Sequence, residues 1–110
     1  MGFIVNTLID TLTFPYLRSH MKFKWDDGNW PHCGKHGVTK QEIEFLFEND
    51  PTIVPDKDLH EAEERLNAIG ITAQGRNIFV VFTIKRGRVR PISARYMHPM
   101  EVKRYARDNS

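Results

Sequence analysis

Five cations on predicted strands are the residues of this chain best suited to chemistry. Arg65, Arg76, Lys85, Arg90 and Arg95 lie in segments whose apolar and β-branched residues are typical of strands. Guanidinium forks match phosphate oxygens, and ammonium groups bind phosphates as point charges. The pattern therefore indicates a sheet that presents fixed positive charge to a polyanion.

His36 is the candidate for moving a proton. An imidazole with an unperturbed pKa of about 6.5 donates or accepts a proton near neutral pH. The competing interpretation is structural, because a histidine at the end of a short helix can bond to one of the last carbonyls. In a scheme without histidine, Lys35, Lys85 or an arginine would have to take over this role.

The predicted strand at 89–96 decides whether two of the arginines can share a site. Strict alternation places Arg90 and Arg95, five residues apart, on opposite faces. The two then line one site only if a bulge at Pro91 shifts the register. The alternation groups Arg90 with Ile92 and Ala94, and it groups Arg95 with Val89 and Ser93.

Charge is divided along the chain. Nine acidic residues lie between Gln41 and Glu64 against one lysine, whereas eight basic residues lie between Lys85 and Arg107 against Glu101 alone. The arginine-rich half favours a nucleic acid as partner. The alternative is two solvated faces that neutralise each other. The acidic stretch at 56–64 is interpreted as a solvated loop or a docking strip for a basic partner.

Metal-ligating residues are few. Cys33 and His36 lie one helical turn apart, but Cys33 is the only cysteine, and further nitrogen ligands would have to come from histidines distant in the sequence. A magnesium site is disfavoured because the acids crowd one loop. We therefore predict no metal and no cofactor, and the lone cysteine fits a reducing cytoplasm.

The first half of the chain predicts one strand and two helices. Lys22–Trp25 alternates as a half-buried strand does, and Asn29 is the predicted cap of a short helix that stops at His36-Gly37. Thr39-Lys40-Gln41-Glu42 forms a capping box. The box predicts a second helix that ends before Pro51.

The second half predicts a meander. Asn77–Ile84 is nearly all apolar or β-branched, so it is predicted as the central strand, covered on both faces. Further strands are predicted at 52–54, 65–71 and 89–96, and a last helix begins at His98-Pro99. No crossover requires parallel strands. The predicted class is α+β, a small antiparallel meander packed by two or three helices.

The length of 110 residues supports one modest core and hence one domain. Residues 1–20 precede the first strand-like run and are interpreted as an N-terminal extension, with residues 21–110 as the domain. No stretch approaches the roughly 18 apolar residues of a spanning helix. The start also lacks the basic region of a signal peptide. A cytoplasmic protein without membrane contact is predicted.

Several short motifs resemble one protein family. They are Trp25-Asp26-Asp27-Gly28-Asn29, Lys35-His36-Gly37-Val38, Glu63-Glu64-Arg65 before Ile69-Gly70, Gly75-Arg76, and Arg90-Pro91-Ile92-Ser93-Ala94-Arg95. From about Lys22 to Tyr105 the chain is similar to the BrnT toxins of type II toxin–antitoxin operons. The resemblance implies a compact fold similar to RelE ribonucleases. The chain departs from the family in its first helix, which has His32 and Cys33 where members commonly have Lys and Asn.

The resemblance also implies a function and partners. It implies an endoribonuclease that cleaves RNA without a metal, arrests translation, and is neutralised by a BrnA-type antitoxin with a ribbon-helix-helix DNA-binding domain. A homodimer within that complex is expected, with operator DNA reached only through the antitoxin. The catalytic candidates are His36, Arg65, Arg90 and Arg95, and the RNA-binding candidates are Lys35, Arg76, Lys85 and Tyr96. The alternative is a non-catalytic domain of the same fold that binds nucleic acid or protein.

Overall fold

Three helices and four strands make up the chain between residues 21 and 108. The computed structural model describes residues 21–56 and 64–108, so the predicted extension at 1–20 and part of the acidic loop lie outside the described residues. The elements are α1 (Trp30–Gly34), α2 (Lys40–Glu48), β1 (Thr52–Pro55), β2 (Leu66–Ile71), β3 (Asn77–Lys85), β4 (Arg88–Tyr96) and α3 (Pro99–Asp108).

The four strands form an open antiparallel sheet in the order β1-β2-β3-β4. The predicted meander and the central place of β3 are therefore confirmed, as is the α+β class. Likeness to RelE in particular stays a prediction. The β3–β4 hairpin turns through Arg86 and Gly87, which have φ of 53° and 76°. Two left-handed residues define the tight turn whose twist matches that of the flanking strands.

The predicted first strand is reduced to a single bridge, and it is parallel. Phe23 pairs with Val89 of β4 in the parallel sense, as an isolated bridge outside the antiparallel sheet. The bridge is held by Lys24 N–H donating to the Val89 carbonyl at 2.9 Å and Val89 N–H donating to the Lys22 carbonyl at 3.0 Å. Pairing stops there because the Lys24 carbonyl accepts from Asn29 Nδ2 at 2.8 Å.

Asn29 ties the short helix α1 to the sheet. It was predicted to cap that helix, but its side chain makes no capping bond. Its Oδ1 instead accepts from Asp26 N–H, and its Nδ2 donates to the Pro91 carbonyl, each at 2.8 Å. A buried amide must find partners, and these backbone groups supply them. Gly37 has the predicted left-handed conformation, with φ of 91°, but the helix ends earlier than predicted, at Gly34.

Helix α2 begins at the predicted capping box. The Thr39 hydroxyl accepts from Glu42 N–H at 3.1 Å, and the Glu42 carboxylate accepts from Thr39 N–H at 3.0 Å. Its apolar stripe buries Ile43, Leu46 and Phe47. Local signals alone were sufficient here, since both helix start and buried face are encoded within ten residues.

The core lies between α1, α2 and one face of the sheet, called here the core face. Ile78, Val80 and Phe82 of β3 are fully buried on it, and Phe82 packs edge-on against Phe47 with ring centroids 4.8 Å apart. On the opposite face, called here the outer face, Phe79 is only half-buried. β3 was predicted to be covered on both faces. It is fully buried on the core face and only partly buried on the outer face.

Helix α3 lies over the outer face. Arg95 of β4 is bonded to Glu101, and the Tyr105 hydroxyl donates to Thr52 Oγ1 of β1 at 2.6 Å. Because β1 and β4 are the two ends of the sheet order, the helix spans the sheet from one edge to the other. Among the described residues, no helix is long and apolar enough to cross a membrane.

Candidate active site

A bulge in β4 brings two of the predicted arginines to the same face. Val81 of β3 pairs with Ser93, whereas the next residue, Phe82, pairs with Pro91, so Ile92 is an extra residue. The bulge shifts the alternation by one position. Arg90 therefore joins Ser93 and Arg95 on the outer face, and the predicted grouping of Arg90 with Ile92 and Ala94 was wrong.

Arg65 joins them across the sheet. Leu66, the first residue of β2, pairs with Phe82, so the alternation of β2 carried back by one residue places Arg65 opposite Thr83. Thr83 pairs with Arg90 on its other side. Arg65 and Arg90 thus flank Thr83 in one row across three neighbouring strands, because cross-strand partners share a face.

Arg90 is held in place by Asp26. Its Nη1 lies 3.3 Å from Asp26 Oδ2, and only 19% of the arginine side chain is exposed. The pKa of Asp26 is lowered, first by the hydrogen bond from Gly28 N–H and then by the charges of Arg90 and Lys24. A Cβ on Gly28 would stand 3.2 Å from Arg90 Nη2, so a glycine there leaves room for the guanidinium.

Arg95 is fixed by helix α3 and by β3. Its guanidinium bonds to both carboxylate oxygens of Glu101, at 2.7 and 2.8 Å, and lies 4.9 Å above the Phe79 ring. The bidentate bond raises the pKa of Arg95. The same bond, together with His98 N–H, lowers the pKa of Glu101 to about 2. Sequence analysis missed His98 as a neighbour of this cluster.

The Arg95–Glu101 pair predicts a pH dependence that a mutation can isolate. Glu101 has a lowered folded-state pKa, so its contribution to stability is present above its ordinary pKa of 4.5 and is lost as the pH falls towards 2. Glu101→Gln should cost at most about 1 kcal/mol at pH 7, since the pair is part-exposed. Urea denaturation of both proteins at several pH values checks this. A difference that persists unchanged at pH 2 would contradict the assignment.

The outer face also carries a buried amide, Asn67, which sequence analysis did not single out. It lies between the row across Thr83 and the position of Arg95. Asn67 pairs with Val81, whose other partner is Ser93. Its side chain is buried, and among the described residues no donor reaches its Oδ1. A buried acceptor without a donor typically costs about 1–3 kcal/mol.

Tyr96 belongs to a different cluster, on the core face. Its hydroxyl donates to Glu42 Oε1 at 2.7 Å, which raises the pKa of Tyr96. The Arg76 guanidinium lies 3.4 Å above the Tyr96 ring. An open groove of about 430 Å³ lies beside the cluster. Two predicted RNA-binding residues, Arg76 and Tyr96, are thus brought together, but away from Arg90.

His36 and Lys35 lie near Tyr96 as well. Both are exposed in the turn after α1, and the neighbouring Gly37 carbonyl lies 3.4 Å from the Tyr96 hydroxyl. Tyr96 pairs with Ile78 on the core face. The register therefore gives Arg90 and Arg95 one face of the sheet, opposite Thr83 and Phe79 of β3, whereas His36 lies with Tyr96. Lys85 is the last residue of β3 and pairs with Arg88. It lies two residues beyond Thr83 on the same face.

Helix α1 does not assemble a metal site. Cys33 is fully buried, and burial raises the pKa of its thiol to about 11, whereas His32 and His36 are exposed. Over residues 21–56 and 64–108, no group of three or more histidine, cysteine or acidic side chains is arranged to hold a metal ion. Cys33 is a core residue.

The fold and the site together define a small α+β protein with an open four-stranded sheet, whose α3-bearing face carries several arginines. A family model described as "Ribonuclease toxin, BrnT, of type II toxin-antitoxin system" matches residues 25–101. This chain therefore belongs to the BrnT family of ribonuclease toxins. The match lies within the stretch whose motifs resemble that family. A search of curated proteins finds no match.

Proposed function

We propose that this chain is a metal-independent endoribonuclease that acts in the cytoplasm, arrests translation by cutting RNA, and uses the ribose 2′-hydroxyl as the nucleophile. The observation that carries the proposal is the bulge at Ile92, which gives Arg90 and Arg95 a common face. Family membership supports the ribonuclease activity.

The reaction explains why three guanidiniums are useful. The 2′-oxygen loses its proton and bonds to the adjacent phosphorus, the bond to the 5′-oxygen breaks, and a cyclic 2′,3′-phosphate remains. Negative charge grows on the five-coordinate phosphorus before the 5′-oxygen leaves. Arg90 is held by Asp26 and Arg95 by Glu101, so the charge of these two guanidiniums requires little rearrangement to stabilise that state. Arg65 adds a third positive charge.

The proton needs a carrier near the arginines. His36, the residue proposed from sequence, lies with Tyr96 on the core-face side. His98 lies on the Arg95 side: its N–H donates to Glu101 Oε1 at 2.8 Å, and its Nδ1 accepts from Met100 N–H at 3.1 Å. Because Nδ1 accepts that bond, the neutral imidazole carries its proton on Nε2, and uptake of a second proton requires Nδ1 to release Met100 N–H. Comparing His36→Ala with His98→Ala assigns the role by the pH profile of cleavage.

A toxin of this kind requires an inhibitor. We propose a BrnA-type antitoxin with a ribbon-helix-helix DNA-binding domain, through which the complex would reach operator DNA, and a homodimer of the toxin within that complex. The family's place in type II toxin–antitoxin systems supports an antitoxin partner. The acidic and basic surfaces of the chain suit a partner of complementary charge.

Cleavage of a defined RNA tests the proposal. The purified protein should cut the RNA at the same rate with and without EDTA, and a copy with 2′-O-methyl groups throughout should resist, because the attacking hydroxyl is blocked. Loss of cutting in EDTA would contradict metal independence. Binding of the RNA without any cutting would instead support the non-catalytic alternative.

A further inference from the structure

Four cations line a groove at the tip of the β3–β4 hairpin. The groove has a volume of about 380 Å³ and is lined by Lys24, Lys85, Arg86 and Arg88. We call it the basic groove. All four of these residues are positively charged, and one of them, Lys24, is paired with Asp26 at 3.8 Å. Local concentration of one charge in a concave surface attracts counter-ions of opposite sign.

Two features show that the chain keeps these cations at a cost to the fold. Lys85 pairs directly with Arg88 across the hairpin, and like charges in that position destabilise a sheet. Arg86 has φ of 53°, a left-handed conformation in which glycine or asparagine is preferred. Destabilising residues that are clustered at one surface indicate a bound ligand, whose interaction energy offsets their cost to the fold.

The basic groove is continuous with the arginines of the outer face. Arg88 and Arg90 are alternate residues of β4, so their side chains share that face at a spacing of roughly 6.6 Å. Asp26 joins the two areas, because it lies 3.8 Å from Lys24 Nζ and 3.3 Å from Arg90 Nη1. An extended strand that crosses Arg90 would therefore reach the basic groove next.

We propose that the basic groove binds backbone phosphates of the RNA strand adjacent to the phosphate that is cut. This inference rests on the proposed function in taking RNA as the ligand. RNA is favoured over an acidic protein segment because phosphates repeat regularly along an extended strand, as the cations do along β4, and because Arg88 follows Arg90 directly on the same face.

Binding of an uncleavable RNA tests the proposal. A 2′-O-methyl oligonucleotide of mixed sequence is titrated with protein by fluorescence anisotropy at several salt concentrations. The groove variant is Lys85→Gln with Arg88→Gln. The control is Lys103→Gln with Arg104→Gln, which removes the same charge from exposed positions on α3. The slope of log K against log salt should become shallower by about 1.4 in the groove variant, and affinity should fall on the order of tenfold at 0.1 M salt.

The control variant should retain most of the wild-type slope. Equal losses in both variants would overturn the proposal, since they would reflect net charge alone. A poly-glutamate peptide of the same charge should bind more weakly than the RNA. If it binds as tightly and depends on the groove residues, an acidic protein is the ligand and the proposal fails. Because the probe cannot be cut, groove-dependent binding would stand even if wild-type protein cleaves no RNA.

Discussion

Arg90→Ala is expected to slow RNA cleavage by about 10²–10³-fold under single-turnover conditions with saturating RNA. That loss corresponds to roughly 3–4 kcal/mol of transition-state stabilisation, the size seen when one fixed donor to a developing anion is removed. Arg95→Ala is expected to behave in the same way. RNA affinity should fall far less, because ground-state binding is shared with the other cations.

The matched control for these variants is Arg104→Ala, an exposed arginine on α3. It should cleave at the wild-type rate at saturation. Arg90→Lys separates charge from geometry, since lysine keeps the charge but loses the planar guanidinium whose Nη1 contacts Asp26. Its rate should fall between those of wild type and Arg90→Ala. Circular dichroism and thermal melting establish that each variant is folded. Equal losses at positions 90, 95 and 104 would refute the assignment.

Phe82→Ala is expected to have the largest effect on stability, a loss of about 3–5 kcal/mol. Phe82 is fully buried, packs on Phe47, and lies on β3 beside the bulge. A loss of that size is a large part of the 5–15 kcal/mol typical of a small domain. Urea denaturation measures it, and cleavage activity should decline with the folded fraction.

Two further variants test whether the loss of stability is specific to the buried volume of Phe82. Phe82→Leu keeps most of the volume and should cost much less than the alanine variant. Phe79→Ala, on the half-buried outer face, should also cost less, because less apolar surface is lost. If Phe79→Ala destabilised the protein as much as Phe82→Ala, the core would not lie on the side of α1 and α2.

Local elements were predictable because their determinants are close in sequence. The capping box at Thr39 and the apolar stripe of α2 define that helix without reference to the rest of the fold. The apolar and β-branched composition of residues 77–84 was sufficient to identify β3 as the central strand. The partner of Phe23 was not predictable, because alternation indicates a strand but does not say which of several distant strands it will join.

The site was predictable in its residues and less so in its geometry. The position of His36 depends on how the five-residue helix α1 packs through Cys33, and a short helix carries too few residues to reveal its buried side. Glu101 was detectable, because it is the single acid among the cations of residues 85–107. Pro91 was also a signal: it has no N–H for the ladder, which favours a bulge nearby.

The extra residue at Ile92 also bears on how the length of β4 can vary. With Ile92 present, Arg90 and Arg95 are five residues apart and share a face. Without it, plain alternation would put them four apart, again on one face. Ile92 can therefore be removed without turning either arginine to the other face. Removal of a second residue from this interval would leave the arginines three apart and turn one guanidinium towards the core face.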